Sequence, residues 1–163
     1  MLFRSIFKEH KINVVNSMKF TPELVFKEKN INKVKITTND KNSITKGIKI
    51  IKSLSKYDIG QSIVINNGYV LAIEGPEGTD ETIKRSLYLS KKYKLKNKSI
   101  LVKFPKTKQD LRVDLPTIGI DTVKNCIKAN IKGIAVKRFQ NIILDRDKII
   151  SLTKKNNFFI ISL

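Results

Sequence analysis

Half of this chain's acids, seven of 14 in 163 residues, fall in two short stretches. The first is Glu74-Gly75-Pro76-Glu77-Gly78-Thr79-Asp80-Glu81; the second runs from Asp110 through Asp114 to Asp121. Carboxylates spread for solubility would stand singly among the lysines. Here they gather beside Gly, Pro and Thr at expected strand ends, where binding and catalytic groups concentrate. A Gly-rich approach to a helix start offers unpaired backbone N–H groups to an anion. Carboxylates beside it can hold a hard divalent cation that bridges to phosphate oxygens. The pattern points to metal, phosphate or proton chemistry. A plainer account competes, in which Asp80 and Glu81 complement a helix dipole and Glu74 is a strand-end charge. It leaves Glu74 and Glu77 in one turn unexplained.

In the second stretch Arg112 alternates with Asp110 and Asp114, so an extended segment would point all three one way. An Arg so placed can clamp a phosphate bidentately, and an Asp can bind a metal or orient water. The competing account is a local Arg–carboxylate pair that ties down a loop. Other chemistries lack their residues. His10 is the only histidine and Cys126 the only cysteine, so zinc sites, Cys–His or Ser–His–Asp catalysis and an internal disulfide have no support. Cys126 lies on a helical apolar face and reads as a buried thiol. There is no Walker-type or GxGxxG loop.

The net charge of +19 invites a nucleic-acid reading. Of 33 basic residues, however, only five are Arg, and Ile and Asn are abundant too, as AT-rich codons would produce. No dense basic tract interleaves with aromatics, so nucleic acid is not an expected partner. Apolar runs are too short to span a bilayer, and the opening residues carry no signal-peptide pattern. The chain reads as cytoplasmic.

The elements that must position these residues read as an α/β domain with a mixed sheet, one antiparallel hairpin and flanking helices. Residues 5–12 read as a helix end, followed by a strand at 13–16, a helix start at Thr21-Pro22-Glu23, and a loop or linker over 27–42. Ile44, Ile48, Ile51 and Leu54 recur at helical spacing. Asn67-Gly68 between two β-rich runs predicts a type I′ hairpin. Thr79 is expected to cap a helix that carries Ile83 and Leu87. Strands are expected at 100–104, 133–136, 142–144 and 158–161, and helices from 121 or 122 and over 146–155, with a loop from 105 to 119.

The order DIGQSIVINNGYVLAIEGPEGTD, then ILVKFPKTKQDLRVDLPTIGIDTV, then IKGIAVKRFQNIILDRDKII resembles the carboxy-terminal domain of LpxI-type UDP-2,3-diacylglucosamine pyrophosphatases. The likeness covers residues 40–163. It implies hydrolysis of the substrate's pyrophosphate to UMP and 2,3-diacylglucosamine 1-phosphate (lipid X) in lipid A biosynthesis. It also implies dependence on Mg²⁺ or Mn²⁺, and work at the cytoplasmic face of the inner membrane as a peripheral protein, with room for a homo-oligomer. Carried over by motif, the resemblance makes Asp114 the catalytic carboxylate and a metal ligand, with Arg112 and Lys103 as phosphate stabilisers. Asp80 and Glu74 become further metal ligands. Gln61, Glu77, Gly78, Thr79, Gln109 and Thr117 become substrate-proximal, beside Asp110 of the same stretch. The family carries a second, amino-terminal domain, and the resemblance sets its site between the two. Residues 1–39 then read as a remnant of that domain plus a linker, 40–163 as the catalytic domain, and the 163 residues alone as weakly active or inactive. A different class of function stays open: a non-catalytic module that binds an acylated sugar phosphate or a protein partner.

Overall fold

The computed structural model describes residues 2–107, 111–112 and 115–163. The chain opens with α1 (Leu2–Glu9), and α2 (Thr38–Leu54) leads into β1 (Ser62–Asn66) and β2 (Tyr69–Ile73). Then come α3 (Gly78–Lys92), β3 (Ser99–Lys103), β4 (Thr117–Ile118), α4 (Ile120–Lys128) and β5 (Ile131–Val136). The order ends with β6 (Ile142–Ile143), α5 (Arg146–Lys155) and β7 (Phe159–Ser162).

Five strands form one sheet in the order β2-β1-β3-β5-β7. Pairings with β1 are antiparallel, whereas β3, β5 and β7 run parallel, so the mixed α/β architecture is as expected. Strands buried on both faces need cover on both. The side chains of Ile63, Ile65, Val102 and Phe159 pack with Ile44 and Ile51 of α2. On the opposite face Val64, Leu101, Ile134 and Ile160 meet Ile83 of α3, Val123 and Cys126 of α4 and Ile149 of α5. Each such buried aliphatic side chain contributes roughly 1.5–3 kcal/mol.

Local chemistry sets the element ends. Thr37 caps α2 through a capping box, its hydroxyl accepting from the Asp40 N–H while the Asp40 carboxylate accepts from the Thr37 N–H. Asp40, almost fully buried, also pairs with Lys132 at 2.5 Å. In the hairpin Asn67 and Gly68 both take positive φ, 48° and 82°, as the type I′ turn requires. Gly133 matters for a different reason. A Cβ there would stand 2.3 Å from the Phe159 ring, so only glycine lets the ring lie against β5.

Two expected elements are absent. Residues 13–16 form no strand, and 22–24 make a turn rather than a helix start. Pro22 fixes one φ, but no amphipathic run comes after it to pack a helix. The segment from Val25 to Asn32 has irregular backbone and is nonetheless built into the core. Val25 bridges to Ile142 and Asn30 to Ile161, and Phe26 is completely buried. The expected loop at 105–119 contains β4, which pairs in parallel with β6.

Candidate active site

Three neighbouring strands place three polar side chains in one row. Ser62 at the start of β1 lies opposite Lys103 of β3, and its carbonyl accepts from the Glu74 N–H just beyond β2 at 2.9 Å. The alternation of strand residues puts Ser62 with Val64, Lys103 with Leu101 and Glu74 with Ala72, all on the face that α3 covers. The row sits at the carboxyl ends of β2 and β3, where ligand sites of α/β sheets gather.

The first turn of α3 enters this row. The Thr79 hydroxyl accepts from Lys103 Nζ at 2.7 Å and donates to Glu74 Oε2 at 2.9 Å. The Ser62 hydroxyl donates to the same carboxylate oxygen. Glu74 and Lys103 are only 8 % and 6 % exposed, so both charges stand where water screens them little. Thr79 is therefore not the helix cap the sequence suggests. Position Glu77 is the cap residue and makes no side-chain capping bond. The helix start leaves its dipole to Asp80 and Glu81, and spends the threonine hydroxyl on a bridge between ammonium and carboxylate.

Asp80 lies one residue further, with Oδ1 buried and without a hydrogen-bond partner. Burial pushes the Cys126 thiol far above its ordinary range; the Asp80 charge adds to this, and Lys103 opposes it. Cys126 is a structural thiol, as its apolar face implied. Asp80 and Lys103 thus act on the same stretch of α4.

Glu74 and Gly75 line two depressions. One, of about 990 Å³, is walled by Leu54, Ile59, Ile73 and Tyr88, with Glu77, Glu81, Lys84 and Arg85 at its polar side. Glu77 is held below the usual carboxylate range, first by its own backbone N–H, against the opposing effect of burial, and then by the Gly75 backbone, Arg85 and Thr82. Arg85 reaches both Glu77 Oε1 at 2.7 Å and the Ile73 carbonyl at 2.6 Å. The second depression, of about 360 Å³, joins Gln61, Gly60, Pro76 and the Asp58–Lys106 ion pair to Glu74. Gly60 takes φ +37°, and a Cβ there would stand 2.1 Å from the Glu74 carbonyl oxygen, so the backbone closes tightly over this turn.

Of the residues singled out from sequence, Glu74, Thr79 and Lys103 meet directly, while Gln61 and Glu77 share depressions with Glu74. Gly78 opens α3 at φ +81°. Arg112 lies in a separate pocket with Lys8 and Lys11. Thr117 sits in β4, its hydroxyl donating to the Leu115 carbonyl at 3.0 Å. Asp114, Asp110 and Gln109 lie outside the described residues, among which no group of three His, Cys, Asp or Glu side chains could hold a metal ion.

Ser62 and Arg85 were not found from sequence. Ser62 is hidden by a register shift between Val64 and Ile65. Near the turn Asn66 faces Tyr69 and Ile65 faces Val70, but beyond the shift Val64 faces Ala72, which leaves Leu71 as an extra residue. An unbroken ladder counted from Asn67-Gly68 would set Gln61, not Ser62, against Glu74.

The LpxI C-terminal domain model matches residues 27–161. This chain belongs to the LpxI family. It is 32 % identical over 121 residues to the UDP-2,3-diacylglucosamine pyrophosphatase LpxI of Caulobacter vibrioides, a match covering 72 % of this chain and 43 % of that protein. The chain thus spans less than half the length of that relative. No helix among the described residues is long and apolar enough to cross a membrane.

Proposed function

We propose that this domain carries the catalytic groups for hydrolysing the pyrophosphate of UDP-2,3-diacylglucosamine to UMP and 2,3-diacylglucosamine 1-phosphate. The observation that carries the reading is the Lys103–Thr79–Glu74 bridge. Two of the stretches that resemble the family converge there on a nearly buried ammonium. Phosphoryl transfer needs positive charge fixed near the transferred group and an oriented water, with little covalent work for the protein. A lysine held by a hydroxyl that is itself anchored on a carboxylate does not reorganise as charge develops. Lys103 is therefore assigned to stabilise the phosphoryl oxygens, and Thr79 and Ser62 to fix the Glu74 carboxylate.

A divalent cation, Mg²⁺ or Mn²⁺, belongs to the proposal. The fit rests on the buried, unpartnered Asp80 Oδ1 and on hard oxygen donors close by. Asp80 and Glu74 would hold it together with Asp114. When bound, it would supply charge neutralisation at the phosphate oxygens. Asp114 is assigned as ligand or as the base that orients water. The apolar walls of the larger depression support a substrate with an apolar part, and peripheral contact with the inner membrane is part of the same proposal.

The test is Mg²⁺-dependent UMP release from UDP-2,3-diacylglucosamine. It is run on this chain and on a fusion to the part of the Caulobacter relative that the chain does not span. Lys103→Met and Asp114→Ala accompany each. Release by either form, lowered about 10²–10³-fold by Lys103→Met, is expected. No release from the folded fusion would reject the reading and favour a binding module.

A further inference from the structure

We infer that the turn after β5 is a membrane-contact point, which sets Phe139 and its flanking cations against an anionic bilayer. The turn runs from Lys137 to Gln140 and is closed by the Gln140 N–H on the Lys137 carbonyl at 3.3 Å. Phe139 takes the third position at φ 60°, and Arg138 before it keeps a negative φ, which makes a type II turn. That position favours glycine or asparagine. Eight non-glycine residues among those described have positive φ; seven are Asn, Asp or Lys, and Phe139 alone is apolar. Its side chain is nonetheless 52 % exposed, so packing in the core does not account for the strain. Strain of this kind collects where a side chain has work to do.

Hydrogen bonds hold the turn in this pose. The Lys137 N–H donates to Oδ1 of the fully buried Asn141 at 3.0 Å. The Arg138 N–H donates to the Leu163 carbonyl at 2.9 Å, and the Phe139 N–H to the Phe26 carbonyl at 3.0 Å. Arg138 Nε donates to the Lys27 carbonyl at 2.7 Å, with the guanidinium 4.8 Å from the Phe139 ring centroid. Leu163, bonded to this turn, is also exposed, as are Lys27 and Lys29 of the segment that ties the turn and β7 together. Residues 137–144 contain no acid, and the one acid of residues 25–32, Glu28, pairs with Arg146. An exposed ring set among cations suits the boundary of an anionic bilayer, where the ring enters the headgroup layer and the cations meet phosphates. Lys103, Val136 and Ser162 stand side by side at the carboxyl ends of β3, β5 and β7. The contact therefore lies at the same end of the sheet as the candidate active site.

This gives the membrane contact of the proposed function a place on the molecule. It is read without turnover, so the two readings fail separately. The chain has no tryptophan, so a single substitution reports on one position. Phe139→Trp is compared with Tyr69→Trp, an exposed site beside the hairpin turn at the opposite end of the sheet. Both are mixed with vesicles of phosphatidylcholine and phosphatidylglycerol that carry brominated acyl chains. Fluorescence quenching in Phe139→Trp and none in Tyr69→Trp is expected. Phe139→Gly removes the ring and relaxes the turn, and should weaken vesicle binding about tenfold without lowering the melting temperature. Lys137→Gln should weaken it about fivefold. Equal quenching in the two tryptophan variants would make binding a diffuse effect of the +19 net charge and overturn the inference. Absence of quenching in both, or full vesicle affinity in Phe139→Gly, would overturn it too.

Discussion

Replacing Thr79 with valine keeps the shape of the side chain and removes the hydroxyl that joins Lys103 to Glu74. Two charge-assisted hydrogen bonds go, one of 2.7 Å and one of 2.9 Å. Bonds to charged groups are worth roughly 1.5–3 kcal/mol each. The loss should fall short of the sum, because Glu74 keeps the Ser62 hydroxyl and Lys103 has further interactions. The net cost is then about 2 kcal/mol, which should lower the urea midpoint by about 1 M and the melting temperature by about 4–8 °C. Thr79→Ser should recover most of this. Thr79→Asp separates bridge from cap. As a cap, aspartate equals threonine and suits the positive helix end, so stability would hold. As a bridge it has no proton for Glu74 and sets two carboxylates together, so it should cost at least as much as valine. The assay is urea unfolding followed by far-UV circular dichroism at neutral pH. A valine variant within about 0.5 kcal/mol of the parent, or an aspartate variant as stable as the parent, would refute the bridge.

Three further outcomes can be measured on the same protein. Gly133→Ala should destabilise by about 2–3 kcal/mol in urea unfolding, since its methyl would meet the Phe159 ring, and Phe159→Leu in the same chain should return part of the loss. For Asp40, burial raises the carboxyl's pKa, but Lys132 and Thr37 outweigh it and hold the group below its ordinary 3.8. A depressed folded value stabilises fully above pH 3.8 and fades as pH falls through that value. Urea midpoints against pH should therefore lose this acid limb in Asp40→Asn, which should also be weaker by about 1–2 kcal/mol at neutral pH. Cys126, its thiol pushed upward by burial, should resist iodoacetamide at mildly alkaline pH in the native protein and react quickly in denaturant. Rapid native labelling would place the thiol outside the core.

Much of the architecture was legible because its signals are local. Asn67-Gly68 required its hairpin, and helix α5 ran from Arg146 to Lys155 as its sequence indicated. The acidic turn could be picked out because Glu74, Glu77, Thr79 and Asp80 are neighbours in sequence. What joins them to Lys103 is not local. It depends on β1 lying between β2 and β3, and on the one-residue shift at Leu71 that sets Ser62 against Glu74. Thr79 was read as a cap because local rules see only its own helix. Its stronger partners arrive from another strand. Phe26 was missed for a similar reason: Leu24-Val25-Phe26 is a short apolar run with no period, and what buries the ring is a core built by later elements, to which the Asn141 carbonyl and Phe139 N–H hold its backbone.

The strap from Val25 to Asn32 has a consequence for the order in which the protein takes shape. It bonds β7 and the segment just before it through Ile31 N–H to Ile160, Ser162 N–H to Lys29, and Asn32 Nδ2 to the Phe158 carbonyl at 2.5 Å, a sequence separation of 126 in the last case. During synthesis the strap leaves the ribosome long before its partner strand exists. The hairpin, α3 and β3 can assemble in the meantime from short-range contacts, whereas Phe26 must wait in water. Closing so long a loop is slow and comes late. A nascent chain halted before Phe139 should therefore hold a folded hairpin but leave Phe26 open to protease and to chaperones.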